Sequence, residues 1–513
     1  MIRLMTERIA VASLSVLLFA MAPVRSASRV QAGVSAPPPR QMLWVSCDDV
    51  AHMTDSTLDA WHALGIGGFD CETGWLDGFG GSHAFTGDPT NPLTAPRYSL
   101  QNALRDRNVI RRIHGRGMKI YLVAYLANYD NPSTPLADWF DDAGWRRATK
   151  ALGNLAGGAH LLGADGITFD GEMYPGRGGK ATWSWRYRGN THTEARVRAQ
   201  ATLRGQQAMT AILANFPGVA IDDYDADFPE TWNSYVQKVV NQVADADRDS
   251  VQINWWDGMT RVDGYSAIHF FDAAFFKGPN LPGRDTDARW ESSLAYDQNG
   301  WFALLSRSWA NWQYASSRTF VSPFAWIDGD LAREGRWTAP RPASYVARQL
   351  SEYRKWGMDE LAIFQYARMG AAGGGLGFDY TPYKPALQDT TMPLLGTPSV
   401  TILSPTTGSR FTTSSPAVTL WGVAADPLAI RAIRWSDDHG NRGVAQMTWQ
   451  ITGGTVDTGL QWQMRWTTTV PVPAGGAAFT ITAENTKGAM TAVTLTVAPP
   501  HPRAPERVQQ DRR

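Results

Sequence analysis

Cysteine is scarce in this chain of 513 residues, which contains only Cys47 and Cys71. Two cysteines are too few for a disulfide-rich scaffold, and the nine histidines show no pair at helical spacing. The sequence therefore predicts neither a zinc site nor a cysteine nucleophile. Both cysteines fall at the ends of two predicted neighbouring strands, which lie about 5 Å apart in a sheet. We expect a disulfide formed in an oxidising compartment, with two free thiols as the alternative.

An excess of charge of either sign is also lacking, because Lys+Arg and Asp+Glu both number 48. This balance gives no indication of a nucleic acid or an anionic surface as partner. Residues 1–32 predict a secretory leader, since Arg3 and Arg8 flank the start of an apolar run, Ile9–Ala22, that is too short to span a bilayer. No later apolar run is long enough for a membrane helix. We expect an exported protein, extracellular or periplasmic, with no membrane span.

Signals for a cofactor or a metal are missing as well. The glycine run Ala371–Gly377 lacks the Lys-Ser/Thr that completes a phosphate-binding loop. Three aspartates between positions 223 and 227 have the spacing of a calcium loop, but no glycine follows them and Pro229 interrupts the loop before a bidentate acid. The sequence predicts no cofactor and no bound metal.

Tryptophan, in contrast, is abundant, with 22 residues. Flat aromatic rings stack well on the apolar faces of pyranose sugars, which favours a carbohydrate as partner. The alternative is that the tryptophans fill a large core.

Strand-like runs alternate with amphipathic segments over residues 40–389, which predicts an α/β fold with a parallel sheet and crossover helices. Eight runs match a (β/α)8 TIM barrel, whose sites lie at the C-terminal ends of the strands. The runs are Met42–Cys47, Ile66–Cys71, Met118–Leu126, Ala164–Glu172, Val219–Tyr224, Val251–Asp257, Thr319–Trp326 and Leu361–Tyr366. A ninth run, Ile268–Phe276, is interpreted as an insertion strand or a loop at the mouth.

A second, all-β domain is predicted at residues 399–498, after a linker at residues 390–398. Six short strands follow one another there, separated by Gly-, Pro- and Asp-rich turns, and no helical period appears. Segments such as Trp466–Pro473 and Ile481–Asn485 resemble the bacterial immunoglobulin-like modules attached to secreted polysaccharide enzymes. We expect such a sandwich to act as a spacer or to add stability. Residues 499–513 are Pro- and Arg-rich and are predicted to be disordered.

The most informative stretch is Gly163–Pro175, an apolar strand that ends in two carboxylates before Pro and Gly. Side chains alternate along a strand, so Thr168, Asp170 and Glu172 share one face. Two acids inside an apolar strand cost too much unless they meet a mouth, a ligand or each other. They lie about 6.6 Å apart along one strand and approach from the same wall, which suits a pair of acid and nucleophile poorly.

The same stretch resembles the signature strand of glycoside hydrolase family 18, the chitinases, at Asp165, Gly166, Asp170 and Glu172. Thr168 replaces that family's middle aspartate, and family 85, the endo-β-N-acetylglucosaminidases, also lacks it. The resemblance implies a reaction assisted by the sugar's own 2-acetamido group. Glu172 would be the general acid/base, and Asp170 would hold the acetamido N–H.

The predicted sixth strand, Val251–Asp257, resembles the family 18 sixth strand, with Trp256 in the place of a tyrosine and Asp257 in the place of an aspartate. A tryptophan there offers no hydroxyl, which leaves a second hypothesis open. Asp170 would then be the nucleophile of a retaining glycosidase, with Asp222 or Asp257 as acid/base. A third hypothesis, from another functional class, is a carbohydrate-binding barrel without catalysis.

Further polar and aromatic residues fall at predicted strand ends and are candidates for substrate binding. They are Asp48, Glu72, Asn128, Trp255, Trp256, Trp326, Gln365 and Tyr366. The expected partner is a carbohydrate, and the sequence does not indicate an oligomeric state.

Overall fold

The structure, a computed structural model, describes residues 39–46, 50, 53–72, 100–125, 138–170, 183–187, 189–224, 249–272, 286–327, 342–364, 380–391, 396–455 and 457–499. The predicted leader and the C-terminal tail lie outside these residues. Among the described helices, none is long and apolar enough to cross a membrane.

Eight parallel strands pair in chain order, and β8 pairs with β1 to close a barrel. The strands are β1 (Arg40–Ser46), β2 (Ile66–Glu72), β3 (Lys119–Tyr125), β4 (Gly166–Asp170), β5 (Ala220–Tyr224), β6 (Ala267–Asp272), β7 (Thr319–Trp326) and β8 (Glu360–Phe364). The prediction of a (β/α)8 barrel is therefore confirmed.

Helices surround this barrel and cover the apolar outer faces of its strands. They are α1 (Asp55–Ala63), α2 (Leu100–His114), α3 (Asp142–Leu162), α4 (Glu194–Asn215), α5 (Gln252–Thr260), α6 (Asp287–Ser308), α7 (Trp312–Ala315), α8 (Ala343–Lys355) and α9 (Lys384–Leu387). Local signals fix several ends. Asp141 caps α3 by accepting from the backbone N–H groups of Ala143 and Gly144, and Gly163 ends that helix with φ 87°.

The predicted sixth strand is wrong. Residues 252–260 form helix α5. The sixth strand of the barrel is β6 (Ala267–Asp272), which overlaps the ninth run, Ile268–Phe276, and pairs with β5 and β7. Helix α5 packs against α4 through two glycines. A Cβ atom on Gly258 would lie 1.9 Å from the carbonyl oxygen of Thr202, and one on Gly205 equally close to that of Trp255. The two backbones touch at these points, so this segment belongs to the outer helical layer.

Residues 399–498 form two sheets whose strands are mostly antiparallel, with strand orders β10-β17-β16-β12-β13 and β14-β15-β11-β9. The strands are β9 (Ser399–Ser404), β10 (Arg410–Thr412), β11 (Ala417–Ala425), β12 (Ile430–Asp437), β13 (Arg442–Val444), β14 (Gln446–Thr455), β15 (Gly459–Pro471), β16 (Ala477–Asn485) and β17 (Met490–Ala498). The six predicted strands are present, and the prediction missed β10, β13 and β14. The all-β character is confirmed, whereas the immunoglobulin-like assignment stays a prediction.

The all-β module packs directly on helix α6 of the barrel. The ring of Trp449 meets Tyr296 edge-on at 4.8 Å, and the backbone N–H of Met447 donates to Ser306 Oγ at 3.0 Å. Lys487 Nζ also reaches Asp359 Oδ1, just before β8, at 2.7 Å. Buried apolar residues of both parts belong to one continuous core.

Candidate functional site

Alternate residues of the barrel strands point into the barrel, and several of those in the described strands are polar and buried, of which six form one connected group. We call them the interior cluster. Its members are Asp70 on β2, Thr168 on β4, Asp222 and Tyr224 on β5, His269 on β6 and Glu360 on β8. None is more than 6% exposed. Barrel interiors are ordinarily filled by branched apolar side chains, so this polar filling marks a site.

The upper part of the interior cluster is organised around Asp70. Its Oδ1 accepts from the Thr168 hydroxyl at 2.7 Å, and its Oδ2 accepts from the Tyr224 hydroxyl at 2.6 Å. The Tyr224 ring is held in place by Phe271, stacked at 4.8 Å, and by Trp44, edge-on at 4.7 Å. Tyr224 is the last residue of β5, so this part lies toward the C-terminal end of the barrel, where barrel enzymes place their sites.

The lower part of the interior cluster is a chain of charged groups. Asp222 Oδ1 lies 3.0 Å from His269 Nδ1, and His269 Nε2 lies 3.8 Å from Glu360 Oε2. Glu360 Oε2 in turn accepts from Arg40 at 3.0 Å. Arg40 and Glu360 are the first residues of their strands. The interior cluster therefore extends from the N-terminal end of the barrel toward its mouth.

Burial shifts the carboxyl groups of the interior cluster toward their protonated forms. Burial raises the pKa of Asp70 to about 6, against the hydrogen bonds from Tyr224 and Thr168. Burial and the charge of Asp222 raise the pKa of Glu360 to about 8, against His269 and Arg40. The pKa of Asp222 is raised well above its usual range by burial and by Asp70. At pH 7 the carboxyl of Glu360, with a pKa of about 8, is therefore mostly protonated, whereas that of Asp70, with a pKa of about 6, is mostly ionised.

Of the two acids in the signature stretch, Asp170 lies on the described part of the backbone. Strand β4 ends at Asp170, two residues beyond Thr168, whose hydroxyl lies inside the barrel. Position 170 therefore falls at the C-terminal end of β4 on the inward alternation. The side chain of Asp170 and the whole of Glu172 lie outside the described residues.

Asp165, which matches the first position of the family 18 signature, lies at the opposite end of the barrel. Its carboxylate pairs with Lys119 Nζ at 2.5 Å and accepts from the backbone N–H of Ile120 at 3.0 Å. It also lies 2.9 Å from His114 Nε2. Asp165 thus joins the beginnings of β3 and β4 and takes no part in the mouth.

Asp257, Trp255 and Trp256 do not lie at the mouth, which corrects their prediction as site residues. The two tryptophans are fully buried between α5 and the barrel, where both rings meet Phe169 edge-on. Asp257 pairs with Arg261 at 2.6 Å and accepts from the backbone N–H of Ala310, after α6. These residues stabilise the outer layer and cannot reach a ligand at the strand ends.

The remaining predicted residues divide into three groups. Asp222 lies in the interior cluster, fully buried. Glu72 and Trp326 are the last residues of β2 and β7, as predicted, but their side chains lie outside the described residues. Asp48, Asn128, Gln365 and Tyr366 lie outside the described residues altogether.

Four members of the interior cluster were missed by the sequence prediction: Asp70, Tyr224, His269 and Glu360. Asp70 could have been found from the sequence, because it lies two residues before Glu72 on β2 and therefore faces the same side of the strand. His269 was hidden because its strand was interpreted as an insertion, and Glu360 because it precedes the apolar run of β8 by one residue. One donor atom each from Asp222, His269 and Glu360 lie within 4.8 Å of one another, which is the spacing of a metal-ligand set.

No family model matches the chain, and no curated protein matches it. The resemblance to families 18 and 85 therefore has no support beyond the motif residues. The chain can be aligned in three dimensions with several solved structures. One is an endo-glycoceramidase II from Rhodococcus sp., with 13% identity, a TM-score of 0.35, and coverage of 85% of this chain and 98% of that one. A Pseudomonas stutzeri endoglucanase has 10% identity, a TM-score of 0.31, and coverage of 66% and 87%.

A sugar phosphate isomerase/epimerase from Parabacteroides distasonis aligns equally well, with 7% identity, a TM-score of 0.33, and coverage of 70% of this chain and 97% of that one. Similarity at this level to both hydrolases and isomerases does not distinguish between their activities. The assignment of function must come from the residues of this chain.

Proposed function

We propose that this chain is an exported glycoside hydrolase that cleaves an O-glycosidic bond in a poly- or oligosaccharide at the C-terminal end of its barrel. The observation that carries the proposal is the position of Asp170, the last residue of the fourth strand of a closed barrel. Barrel enzymes place catalytic side chains at such ends. Glu172 follows two residues later in the sequence and supplies the general acid/base.

The reaction divides between these two acids. Glu172 gives its proton to the leaving glycosidic oxygen while the 2-acetamido oxygen of the sugar attacks its own anomeric carbon. Asp170 accepts a hydrogen bond from the acetamido N–H and offsets the positive charge of the ring that forms. Glu172, now ionised, takes a proton from the water that opens this ring. This assignment extends the resemblance to families 18 and 85 to the substrate.

The interior cluster supports the strand end from below. Thr168 lies on the inward face two residues before Asp170 and donates to Asp70, while Tyr224 ends the neighbouring strand β5 and donates to the same carboxyl group. β4 and β5 are thus joined by side chains as well as by their backbones. A rigid strand end is what a positioned acid needs.

The alternative of a retaining glycosidase, with Asp170 as nucleophile, now has fewer candidates for its acid/base residue. Asp257 is withdrawn as its acid/base because it lies in the outer layer. Asp222 is fully buried and engaged with His269, one alternation below Tyr224. An acid/base must touch the leaving oxygen, and this burial is the reason to prefer Glu172 over Asp222.

The test uses the wild type, Glu172→Gln, Asp170→Asn and the control Glu194→Gln, which alters an exposed acid at the start of α4. Each is incubated with polysaccharides that contain or lack 2-acetamido sugars, and the products are separated by chromatography. We expect release from a 2-acetamido substrate, a loss of about 10²-fold or more in Glu172→Gln, and no loss in the control.

Each other outcome has a defined meaning. Release only from sugars without the acetamido group would refute the assisted mechanism and would make Asp170 the nucleophile. Full activity of Glu172→Gln would refute the assignment of the acid. Binding without release by any variant would favour the non-catalytic carbohydrate-binding barrel.

A further inference from the structure

The interior cluster contains an unbalanced set of charges. Asp70, Asp222 and Glu360 carry three negative charges when ionised, and among the described residues Arg40 and, when protonated, His269 are the cations that reach them. The three acids are at most 1% exposed. With His269 neutral, two negative charges remain uncompensated, which is strongly unfavourable at such a depth. Either protons or a divalent cation must balance them.

Two oxygen atoms of these acids also lack donors. Asp222 Oδ2 and Glu360 Oε1 are buried and accept no hydrogen bond from any described residue. Ser322 Oγ, on the inward alternation of β7, is also buried without a partner in the described structure. A buried oxygen with no donor needs a partner such as a water, a proton or a cation.

The orientation of His269 fits metal coordination. Its Nδ1 lies 3.0 Å from Asp222 Oδ1, and its Nε2 lies 3.8 Å from Glu360 Oε2. Two ligands of one ion, each bound at about 2.1 Å, lie roughly 3–3.5 Å apart. Asp222 Oδ1 and His269 Nδ1 therefore already have the spacing of two ligands, and Glu360 has to approach them by about 1 Å.

Arg40 does not block such a site. It pairs with Glu360 Oε2, which leaves Oε1 of the same carboxylate for an ion. One imidazole and two carboxylates form a mixed nitrogen and oxygen set that suits Zn²⁺ or Mn²⁺ better than Ca²⁺, which prefers six to eight oxygens. The three strands that supply the ligands, β5, β6 and β8, belong to the closed barrel and hold the donors in place.

We propose that Asp222, His269 and Glu360 bind one divalent first-row cation, such as Zn²⁺ or Mn²⁺, inside the barrel. One atom of each lies within 4.8 Å of the others, and all three residues are buried. The ion would lie below Asp70 and Tyr224 and would contact no substrate. It would neutralise the excess charge and tie three strands together, so it is independent of the proposed glycosidase chemistry.

The test measures metal content and stability rather than activity. The full chain is purified without a histidine tag, and its metal content is determined by mass spectrometry. We expect about one equivalent of Zn²⁺ or Mn²⁺ per chain. Removal of the ion with a chelator should lower the melting temperature by several degrees, and ZnCl₂ or MnCl₂ added back should restore it.

Two variants with a matched control assign the site. His269→Gln and Glu360→Gln should lose the bound equivalent. Asp223→Asn should keep it, because Asp223 is as buried as Asp222 but lies on the outward alternation of the same strand, near Trp256. The proposal fails if the wild type neither retains nor binds an ion in titration calorimetry, which would mean that shared protons balance the charges. It also fails if His269→Gln binds the ion with unchanged stoichiometry.

Discussion

Replacing Gly258 by alanine tests the outer layer of the barrel. The added Cβ atom would lie 1.9 Å from the carbonyl oxygen of Thr202 on α4, whereas ordinary contact begins at 3.4 Å. Helices α4 and α5 would have to separate by about 1.5 Å, and overpacking of a rigid backbone contact costs about 1–3 kcal/mol or more. Alanine favours the helix over glycine by only about 1 kcal/mol. We therefore expect a net loss of stability.

The control is Gly157→Ala in the middle of α3, where the added Cβ atom would meet its nearest neighbour, Asn215, at 3.5 Å. That change should be neutral or stabilising, because it adds helix propensity without a clash. Melting curves and urea titrations of both variants give the comparison. If residues 251–257 formed a strand, as the sequence predicts, Gly258 would lie in a turn and would tolerate alanine. A Gly258→Ala variant as stable as Gly157→Ala would refute the helix packing described here.

Two further predictions concern the all-β module. Burial raises the pKa of Asp426 to about 6, so the folded state retains a proton that the unfolded chain releases near pH 4. The corresponding stability is complete below about pH 4 and is lost as the pH rises through 6, by at most about 3 kcal/mol. Asp426→Asn should therefore raise the melting temperature relative to wild type more at pH 7.5 than at pH 4.5, and an equal difference at both would contradict this. A chain that ends at residue 391 should be insoluble, because α6 would expose its module-facing side, and a soluble, folded barrel would show that the module is dispensable.

The barrel was predictable because seven of its strands are short apolar runs with turn signals at both ends, and their order alone implies a closed parallel sheet. The sixth strand was not. Val251–Asp257 and Ala267–Asp272 are both short apolar runs, and periodicity alone does not separate a buried helix from a buried strand. The contact that distinguishes them is the close approach of Gly258 to helix α4, and a tertiary contact of this kind cannot be inferred from local sequence.

The tryptophan excess was open to two interpretations, and the described residues favour the core. Among the described residues, nine tryptophan side chains are less than 2% exposed. They are Trp61, Trp139, Trp145, Trp255, Trp256, Trp290, Trp301, Trp312 and Trp466. Several fill the layer between strands and helices. Abundance of an aromatic residue therefore says little about a cleft until burial is known.

The site was only half predictable. Asp170 follows an apolar run with strand alternation, so its position at the end of β4 could be inferred from the sequence. The interior cluster draws one or two residues from each of five strands, and Asp70 and Glu360 are separated by almost the whole barrel sequence. Only the closure of β8 onto β1 brings them into one interior.

The packing of the module on α6 bears on how such a protein can be rearranged in evolution. The composition of residues 390–398 suggests a joint at which a catalytic barrel could be exchanged for another. The barrel and the module are, however, joined by a packed interface as well as by this linker, as the contacts of Tyr296, Ser306 and Asp359 with the module show. Recombination at the joint would break that interface, so the barrel and its module should be inherited, lost and transferred as a single piece.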